Sequence, residues 1–94
     1  SKRDQPRVPF GRVVEEGLLT PGDMLYDHTR RHSAKVRPDG TLVSADASGS
    51  IHYVGAQVQG AAACNGWAFW CFEVGEILVP IDSLRDRLRA GMIN

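Results

Sequence analysis

The most distinctive feature of the sequence is the segment 47–72, which contains no Asp, Glu, Lys or Arg but keeps several polar side chains. Amide side chains can hydrogen-bond the edge of a base, and a tryptophan ring can stack on an unpaired base. A serine hydroxyl and the backbone N–H groups at the start of a helix suit a phosphate. The segment therefore indicates nucleic-acid binding, through Ser50, His52, Gln57, Gln59, Asn65 and Trp67.

Each of these residues also has a purely structural explanation. Ser50 can serve only as a helix cap, and residues 65–66 only as a turn before the next element. His52 can be a half-buried side chain with satisfied hydrogen bonds, and Trp67 can belong to the core. The residue types alone leave the two interpretations open.

A second feature is the run 28–37, which carries Arg30, Arg31, Lys35, Arg37 and two histidines, with no acid among them. Each cation could meet a phosphate, with an affinity that falls as salt rises because counterions are released. A solvated hairpin face explains the same run equally well. The whole chain has 11 basic and 11 acidic residues and a net charge of +0, so global charge favours no polyanion partner.

Catalysis and metal binding are poorly supported. The sequence contains no glycine-rich phosphate loop, nucleophile elbow or metalloprotease motif. Cys64 could act as a nucleophile beside a histidine, but cysteines near an aromatic segment are more often small buried side chains. A zinc site would need His28, His32, Cys64 and Cys71 to converge, and their spacing does not favour it. We expect no catalytic residue and no metal site.

The length of 94 residues predicts one domain, and 43% hydrophobic with 23% charged residues is typical of a soluble globular one. No run approaches the ~18 apolar residues of a membrane span. Two cysteines are too few for a disulfide framework, so we expect a reduced, cytoplasmic protein. The start lacks an initiator Met and the apolar region of a signal peptide, which suggests a piece of a larger protein. We expect a linker over 1–9, a domain over 10–91 and a tail over 92–94.

Hydrophobic spacing predicts the elements that must position these residues. Helical periodicity runs from Phe10 to Gly17, a short strand covers 24–26, and 32–44 reads as a hairpin that turns at 38–40. A helix over 51–59 is capped by Ser50 and ended by Gly60. Residues 67–73 are apolar on both faces and predict a central strand.

The remainder predicts a turn at 75–76, a strand over 77–79 and a last helix that begins at Asp82 or Ser83. In that helix Ile81, Leu84 and Leu88 should point inward, and Arg85, Asp86, Arg87 and Arg89 largely outward. The sum is an α+β fold, with a small antiparallel sheet of three to four strands and three short helices.

One long pattern is specific enough to name a family. It reads Gly49-Ser50-Ile51-His52-x-x-Gly55-Ala56-x-Val58-Gln59-Gly60-Ala61-x-Ala63-Cys64-Asn65-Gly66-Trp67-x-Phe69-Trp70. Shorter matches occur at Phe10-Gly11, Gly17-Leu18-Leu19-x-Pro21-Gly22, Leu25-Tyr26-Asp27, Arg31-His32 and Pro80-Ile81-Asp82-x-Leu84-Arg85. Over residues 7–90 the chain resembles the C-terminal domain of the cell-cycle-regulated bacterial adenine DNA methyltransferases, a domain called restriction adenine methylase associated, or RAMA.

The resemblance implies a parent enzyme that methylates adenine N6 within GANTC, acts as a homodimer and works in the cytoplasm on the nucleoid. Its S-adenosylmethionine and its Asp-Pro-Pro-Tyr motif belong to a separate N-terminal domain. Neither that motif nor Phe-x-Gly-x-Gly occurs in this chain, so we expect this domain to hold no cofactor and to be catalytically inert. The expected partners are therefore the methyltransferase domain and DNA, either a GANTC-containing duplex or unpaired bases, and no membrane.

Five residues are implied as DNA contacts by the resemblance: Ser50, His52, Asn65, Trp67 and Arg85. Charge alone adds Arg30, Arg31 and Lys35. Two other functions fit the sequence. The small-residue helix 51–59 and the aromatic strand could form a dimerisation surface or a docking surface for the catalytic domain. The domain could also read adenine that is already methylated.

Overall fold

The computed structural model of the protein describes residues 8–93, with side chains as far as residue 91. Residues 1–7 of the expected linker and Asn94 of the expected tail lie outside the described residues. The helices are α1 (Phe10–Glu15), α2 (Ile51–Gln59), α3 (Gly66–Phe69) and α4 (Asp82–Ile93). The strands are β1 (Met24–Tyr26), β2 (Ser33–Val36), β3 (Leu42–Val43), β4 (Ser48–Gly49), β5 (Cys71–Val74) and β6 (Ile77–Pro80).

All six strands form one antiparallel sheet in the order β4-β3-β2-β1-β5-β6. The α+β class is confirmed, but the expectation of three to four strands and three helices was too low. The additional elements are short. β4 has two residues and lies in a segment that the sequence predicts as a turn. α3 has four residues, and three of them (67–69) fall inside the expected strand.

The core lies between the sheet and the helices. Strand β2 alternates exposed and buried residues, as expected for a hairpin with one face on the core, and its Val36 pairs with Leu42 of β3. The largest fully buried side chains are Trp70, Leu25, Leu42, Ile81, Leu84, Val13, Val36, Val54 and Cys71. At about 25 cal/mol per Å² of apolar surface, burial of this cluster is the main force that holds the elements together.

Helix α2 has the predicted bounds, and its ends show why. The Ser50 hydroxyl accepts a hydrogen bond of 3.0 Å from the Tyr53 N–H, which satisfies one of the free donors at the helix start. Gly60 adopts a left-handed conformation (φ 68°) after the last turn, which other residues adopt only at a cost. Buried Ile51, Val54 and Ala56 attach the helix to the core.

The prediction of a central strand over 67–73 was wrong for its first half and for its place in the sheet. Asn65 caps a short helix by accepting a hydrogen bond from the Trp67 N–H, so Trp67 lies in α3 and the strand begins only at Cys71. A run that is apolar on every side fits a buried helix as well as a buried strand, because periodicity cannot separate them. Strand β5 is also next to the sheet edge, between β1 and β6, instead of at the centre.

The β2–β3 hairpin is attached to α1 through a backbone contact. A Cβ atom added at Gly40, in the hairpin turn, would lie 2.6 Å from the Gly11 Cα of α1. Gly40 also has a φ of +81°, which disfavours any other residue. This contact brings the hairpin turn and the start of α1 to the same edge of the molecule, beside the site described next.

Candidate nucleic-acid interface

An open cleft of about 780 Å³ lies where the start of α2, the α3 and α4 helices, the start of α1 and the hairpin turn meet. We call it the Arg85 cleft. Four of the residues singled out in the sequence line it: Ser50, His52, Trp67 and Arg85. Its other lining residues are Val8, Pro9, Phe10, Gly11, Asp39, Gly40, Ile51 and Arg89. Residues far apart in the chain therefore share one surface.

Ser50 has the structural role considered for it and also lies on the cleft. It is the cap of α2, and it is also exposed on the wall of the Arg85 cleft. Because helix dipoles leave a partial positive charge at the N-terminus, this end of α2 is suited to an anion. No acidic side chain lies in the first turn of α2 to compete for that position.

His52 joins α2 to α3. The Gly66 N–H donates a hydrogen bond of 2.9 Å to His52 Nδ1, so this nitrogen carries no proton and Nε2 carries it in the neutral ring. Gly66 is required at this contact, because an added Cβ would lie 2.6 Å from the Ile51 carbonyl carbon and 2.7 Å from its oxygen. The ring is held by a backbone donor while the side chain stays exposed on the cleft.

Of the five residues that the resemblance implies as DNA contacts, Asn65 is the one that does not line the Arg85 cleft. Its Oδ1 accepts a hydrogen bond of 3.2 Å from the Trp67 N–H and so starts α3. The side chain is exposed next to the cleft wall. Its side chain sets the position of α3, and residues 65–66, for which a plain turn was the structural alternative, are a helix start.

Trp67 is buried at the floor of the cleft. It is 6% exposed, and the Phe10 ring meets it edge-on with centroids 6.0 Å apart. The Arg85 Cζ lies over the ring, 4.7 Å from its centroid. A base could stack on Trp67 only after Arg85 had moved away. Trp67 is therefore a core residue that also forms part of the cleft surface.

The expectation that Arg85 and Arg89 point largely outward was wrong. Their side chains are only 23% and 18% exposed, and both line the cleft. Long arginine stems cover apolar surface while the guanidinium stays at a polar edge, so a helix can turn them toward its packed side. Asp86 and Arg87 are exposed as expected.

The guanidinium groups in the cleft have carboxylate neighbours on the same helix. Arg85 Nη2 lies 2.5 Å from Asp82 Oδ1, and Arg89 Nη1 lies 3.7 Å from Asp86 Oδ1. Arg85 Nε is buried and has no hydrogen-bond acceptor. Arg89 was not among the residues predicted to bind DNA, although its spacing of four from Arg85 places it on the same helix face.

The basic run does not reach the cleft. Arg30, Arg31 and Lys35 are all exposed, and none of them lines it. Arg30 is engaged elsewhere: Nη1 is 2.7 Å from Glu73 Oε2, and the guanidinium carbon lies 5.6 Å from the Tyr26 ring centroid. Arg31 lines a separate, smaller depression of about 360 Å³ together with Gln57 of α2.

The loop that carries these arginines is organised by Asp27, which is 8% exposed. Its carboxylate accepts hydrogen bonds from Thr29 Oγ1 at 2.8 Å and from the His32 N–H at 3.2 Å. Burial by itself raises the pKa of this carboxyl, but the hydrogen bonds from Thr29 and the loop backbone outweigh burial and leave the pKa below its usual value. The carboxylate form is thus the one that shapes the loop.

Both cysteines are free thiols; Cys71 is buried and Cys64 is half-buried. Burial raises the pKa of Cys64, partly offset by a hydrogen bond from Gln59, and burial together with the Asp27 charge raises the pKa of Cys71. A raised pKa keeps a thiol protonated and weakens it as a nucleophile. Cys71 Sγ lies 3.7 Å from His28 Nδ1. Within the described residues, no group of three or more His, Cys, Asp or Glu side chains is placed to hold a metal ion.

The comparison with known protein families shows which family the chain belongs to. The profile of the family described as Restriction Enzyme Adenine Methylase Associated matches residues 1–92, nearly the whole chain. The chain belongs to the RAMA family. This RAMA domain is also similar to the type II methyltransferase M.HinfI of Haemophilus influenzae, with 28% identity over 80 residues. The match covers 85% of this chain and 22% of that protein, so the chain spans about a fifth of this relative's length.

In the part of the chain that the structure describes, no helix is both long enough and apolar enough to cross a membrane.

Proposed function

We propose that this RAMA domain is the non-catalytic DNA-binding module of an adenine-N6 DNA methyltransferase. The observation that carries the proposal is the convergence of Arg85, Arg89 and the α2 N-terminus at Ser50 on one open cleft. Guanidinium groups and helix N-termini are the groups that proteins place on phosphates. The family description and the similarity to M.HinfI support the link to a methyltransferase.

In this proposal the parent enzyme binds S-adenosylmethionine and catalyses methylation in a separate N-terminal domain, as a homodimer. The RAMA domain contributes DNA binding and recognition of GANTC. Because methylation acts on a base taken out of the stack, unpaired bases near the target belong to its substrate. A protein with this role works in the cytoplasm, on the nucleoid.

Within the cleft, Ser50, Arg85 and Arg89 bind phosphate oxygens, and His52 offers its Nε2–H to an acceptor. The exposed cations Arg31 and Lys35 add contacts to the phosphate backbone on a separate surface. Arg30 contributes least, because Glu73 already pairs with it. Surface ion pairs contribute little to stability, so a phosphate can compete with Glu73 for the exposed Arg30 guanidinium.

A titration tests the proposal. The chain is mixed, at each of several salt concentrations, with three fluorescent probes: a GANTC duplex, a duplex of the same composition with the site scrambled, and a single strand. Saturable binding that weakens with salt is expected for all three, and the GANTC duplex is expected to bind more tightly than the scrambled one. Equal affinity for the two duplexes would exclude site recognition by this domain, and absence of binding would exclude the proposal.

A second candidate function is docking of the catalytic domain or of a second copy. It needs a surface other than the small-residue helix 51–59 that the sequence suggests. Gly55 and Ala56, the small residues of α2, are buried inside the domain. A Cβ added at Gly55 would lie 2.7 Å from Cys64 Sγ, so this face is already occupied. Among the described residues, Met24 of β1 and Tyr53 of α2 are large apolar side chains that remain exposed, and the most exposed ones are at the β5–β6 hairpin, where Val74 is 53% and Ile77 67% exposed.

Two additional measurements separate the alternatives. Sedimentation of the chain without DNA shows whether it is a dimer, and a dimer that fails to bind DNA would favour docking. A probe methylated at adenine N6 tests the reader function. A clear preference for the methylated duplex over the unmethylated one would favour a reader of modified DNA.

A further inference from the structure

The aromatic residue best placed to stack on a base is not one of those that the sequence pattern singled out. Base stacking needs a ring face that solvent can reach. Trp67 is 6% and Trp70 0% exposed, and Phe10 is 6% exposed. Among the described residues, Tyr53 is the aromatic residue with more than half of its surface exposed, at 52%.

The remaining aromatic rings are engaged by neighbours. The Phe69 and Trp70 rings meet edge to face with centroids 4.9 Å apart, and Tyr26 lies under the Arg30 guanidinium. Phe72 packs against the core. A base that approached any of these would have to displace protein atoms, whereas a base that approached Tyr53 would displace water.

The position of Tyr53 connects it to the cleft. It lies in the first turn of α2, directly after His52, and its N–H is the group that the Ser50 hydroxyl caps at 3.0 Å. Ser50 and His52 both line the Arg85 cleft. Tyr53 itself does not line the cleft, so a nucleic-acid strand whose phosphate lies at the α2 N-terminus would reach the Tyr53 ring with a nucleotide that extends beyond the cleft.

The ring is also supported from one side. A Cβ added at Gly49, the last residue of β4, would lie 3.1 Å from Tyr53 Cδ2, so the ring lies close against the backbone there. A ring with one side against the backbone and about half of its surface exposed has a face left for a ligand. Because part of its motion is already restricted, the ring loses less conformational freedom on stacking.

We propose that Tyr53 stacks on an unpaired base of the nucleic acid that the Arg85 cleft binds. This inference rests on the proposed function and adds to it the residue that senses unpaired bases. Because every base has a π face, the contact tolerates any sequence. It makes the domain bind a locally open duplex more tightly than a closed one.

The test compares Tyr53→Phe and Tyr53→Leu with the unaltered chain. Phenylalanine keeps the ring, and leucine keeps an apolar side chain without a π face. Ile77→Ala is the matched control, since it removes an exposed apolar side chain at the β5–β6 hairpin. Two probes share one sequence: a closed duplex, and the same duplex with a short mismatched bubble that contains 2-aminopurine.

Tyr53→Leu should weaken binding to the bubble probe about 5-fold or more and change binding to the closed duplex by less than about 2-fold. Tyr53→Phe and Ile77→Ala should match the unaltered chain on both probes. Quenching of 2-aminopurine should be lost in Tyr53→Leu and kept in Tyr53→Phe. Thermal unfolding of each variant verifies that the fold is intact.

Equal losses on the two probes would overturn the proposal, because Tyr53 would then be a general contact and not a stacking residue. Unchanged binding of Tyr53→Leu to the bubble probe would overturn it as well, while leaving the proposed function intact. If the unaltered chain bound neither probe, the DNA-binding function itself would fail, and the stacking role with it.

Discussion

The guanidinium carbon of Arg85 lies 4.7 Å from the centroid of the Trp67 ring and covers the face of a residue that is only 6% exposed. A cation over an indole ring is attracted to its π electrons. The same arginine lines the cleft, so one side chain closes the hydrophobic core and presents positive charge to the solvent. Trp67 therefore stabilises the fold, and Arg85 is available to a ligand. Substitution of Trp67 should mainly lower stability, and substitution of Arg85 should mainly lower affinity for DNA.

Arg85→Ala should lower the affinity for DNA about 10-fold or more, because charge-assisted hydrogen bonds to a phosphate are lost. Arg87→Ala is the matched control. Arg87 is on the same helix but exposed and outside the cleft, and its removal should cost about 2-fold or less. Fluorescence anisotropy at fixed salt measures both. Equal losses would mean that overall charge, and not the cleft, determines binding.

Trp67→Ala should lower the free energy of unfolding by about 3 kcal/mol or more, as removal of a buried tryptophan leaves a cavity. Its effect on DNA binding should follow from lost folding. Urea unfolding provides the measurement, and DNA titration at a temperature where the variant is folded provides the comparison. A stable variant that failed to bind DNA would show instead that the Trp67 ring contacts the ligand directly.

Gly66→Ala should destabilise the protein by about 1–3 kcal/mol, because the added methyl group has no room beside the Ile51 carbonyl and α3 must shift. Gly91→Ala is the control. Nothing lies within 4 Å of its added Cβ, and alanine favours the α4 helix by about 0.5–1 kcal/mol. Thermal unfolding of the two variants should therefore move in opposite directions. A neutral Gly66→Ala would contradict the tight α2–α3 contact.

Arg31→Ala should weaken binding to specific and random DNA alike and reduce the slope of log affinity against log salt by about 1. Arg30→Ala should reduce the slope less, because Glu73 already neutralises part of its charge. Titrations at several salt concentrations give the slopes. If neither slope changed, the basic run would lie outside the DNA-binding surface.

The pH dependence of stability should show the contribution of Asp27. Folding lowers the pKa of this carboxyl, so the unfolded chain binds the proton more tightly than the folded one. The stabilisation is therefore fully present above the ordinary carboxyl value of 3.8 and is lost as the pH falls through the lower folded value. Urea unfolding from neutral into acid pH should show this loss. Asp27→Asn should be less stable at neutral pH and should lack that part of the acid dependence.

The sequence predicts best those elements whose ends are marked by local chemistry. Helix α2 has both its predicted bounds, because Ser50 and Gly60 mark its start and end within the local sequence. The hairpin that ends in β3 was predicted for a similar reason, from alternation around a turn at Gly40. These features depend on neighbours in sequence, which a single sequence displays.

The sequence predicts least well those features that depend on contacts between distant parts of the chain. Trp67 was placed in a strand because an apolar run has no period, and the cap from Asn65 is visible only once α3 is seen. Arg85 and Arg89 were expected to be solvated, yet a cleft formed by distant elements provides them with a partly buried position. The shared cleft itself was not foreseen, since residues from Phe10 to Arg89 come together only in the folded chain.

The close approach of Gly11 and Gly40 has a consequence for how this domain can change over time. Where two stretches of main chain touch directly, the spacing of the flanking walls is set by peptide geometry and not by rotamers. Side chains elsewhere along the rim can then be exchanged, and recognition altered, while the width of the opening stays the same. A side chain introduced at Gly40 would push the hairpin turn away from α1 and widen the entrance for every ligand at once, whereas one at Gly11 would meet Gly40 only at an ordinary contact distance of 4.0 Å.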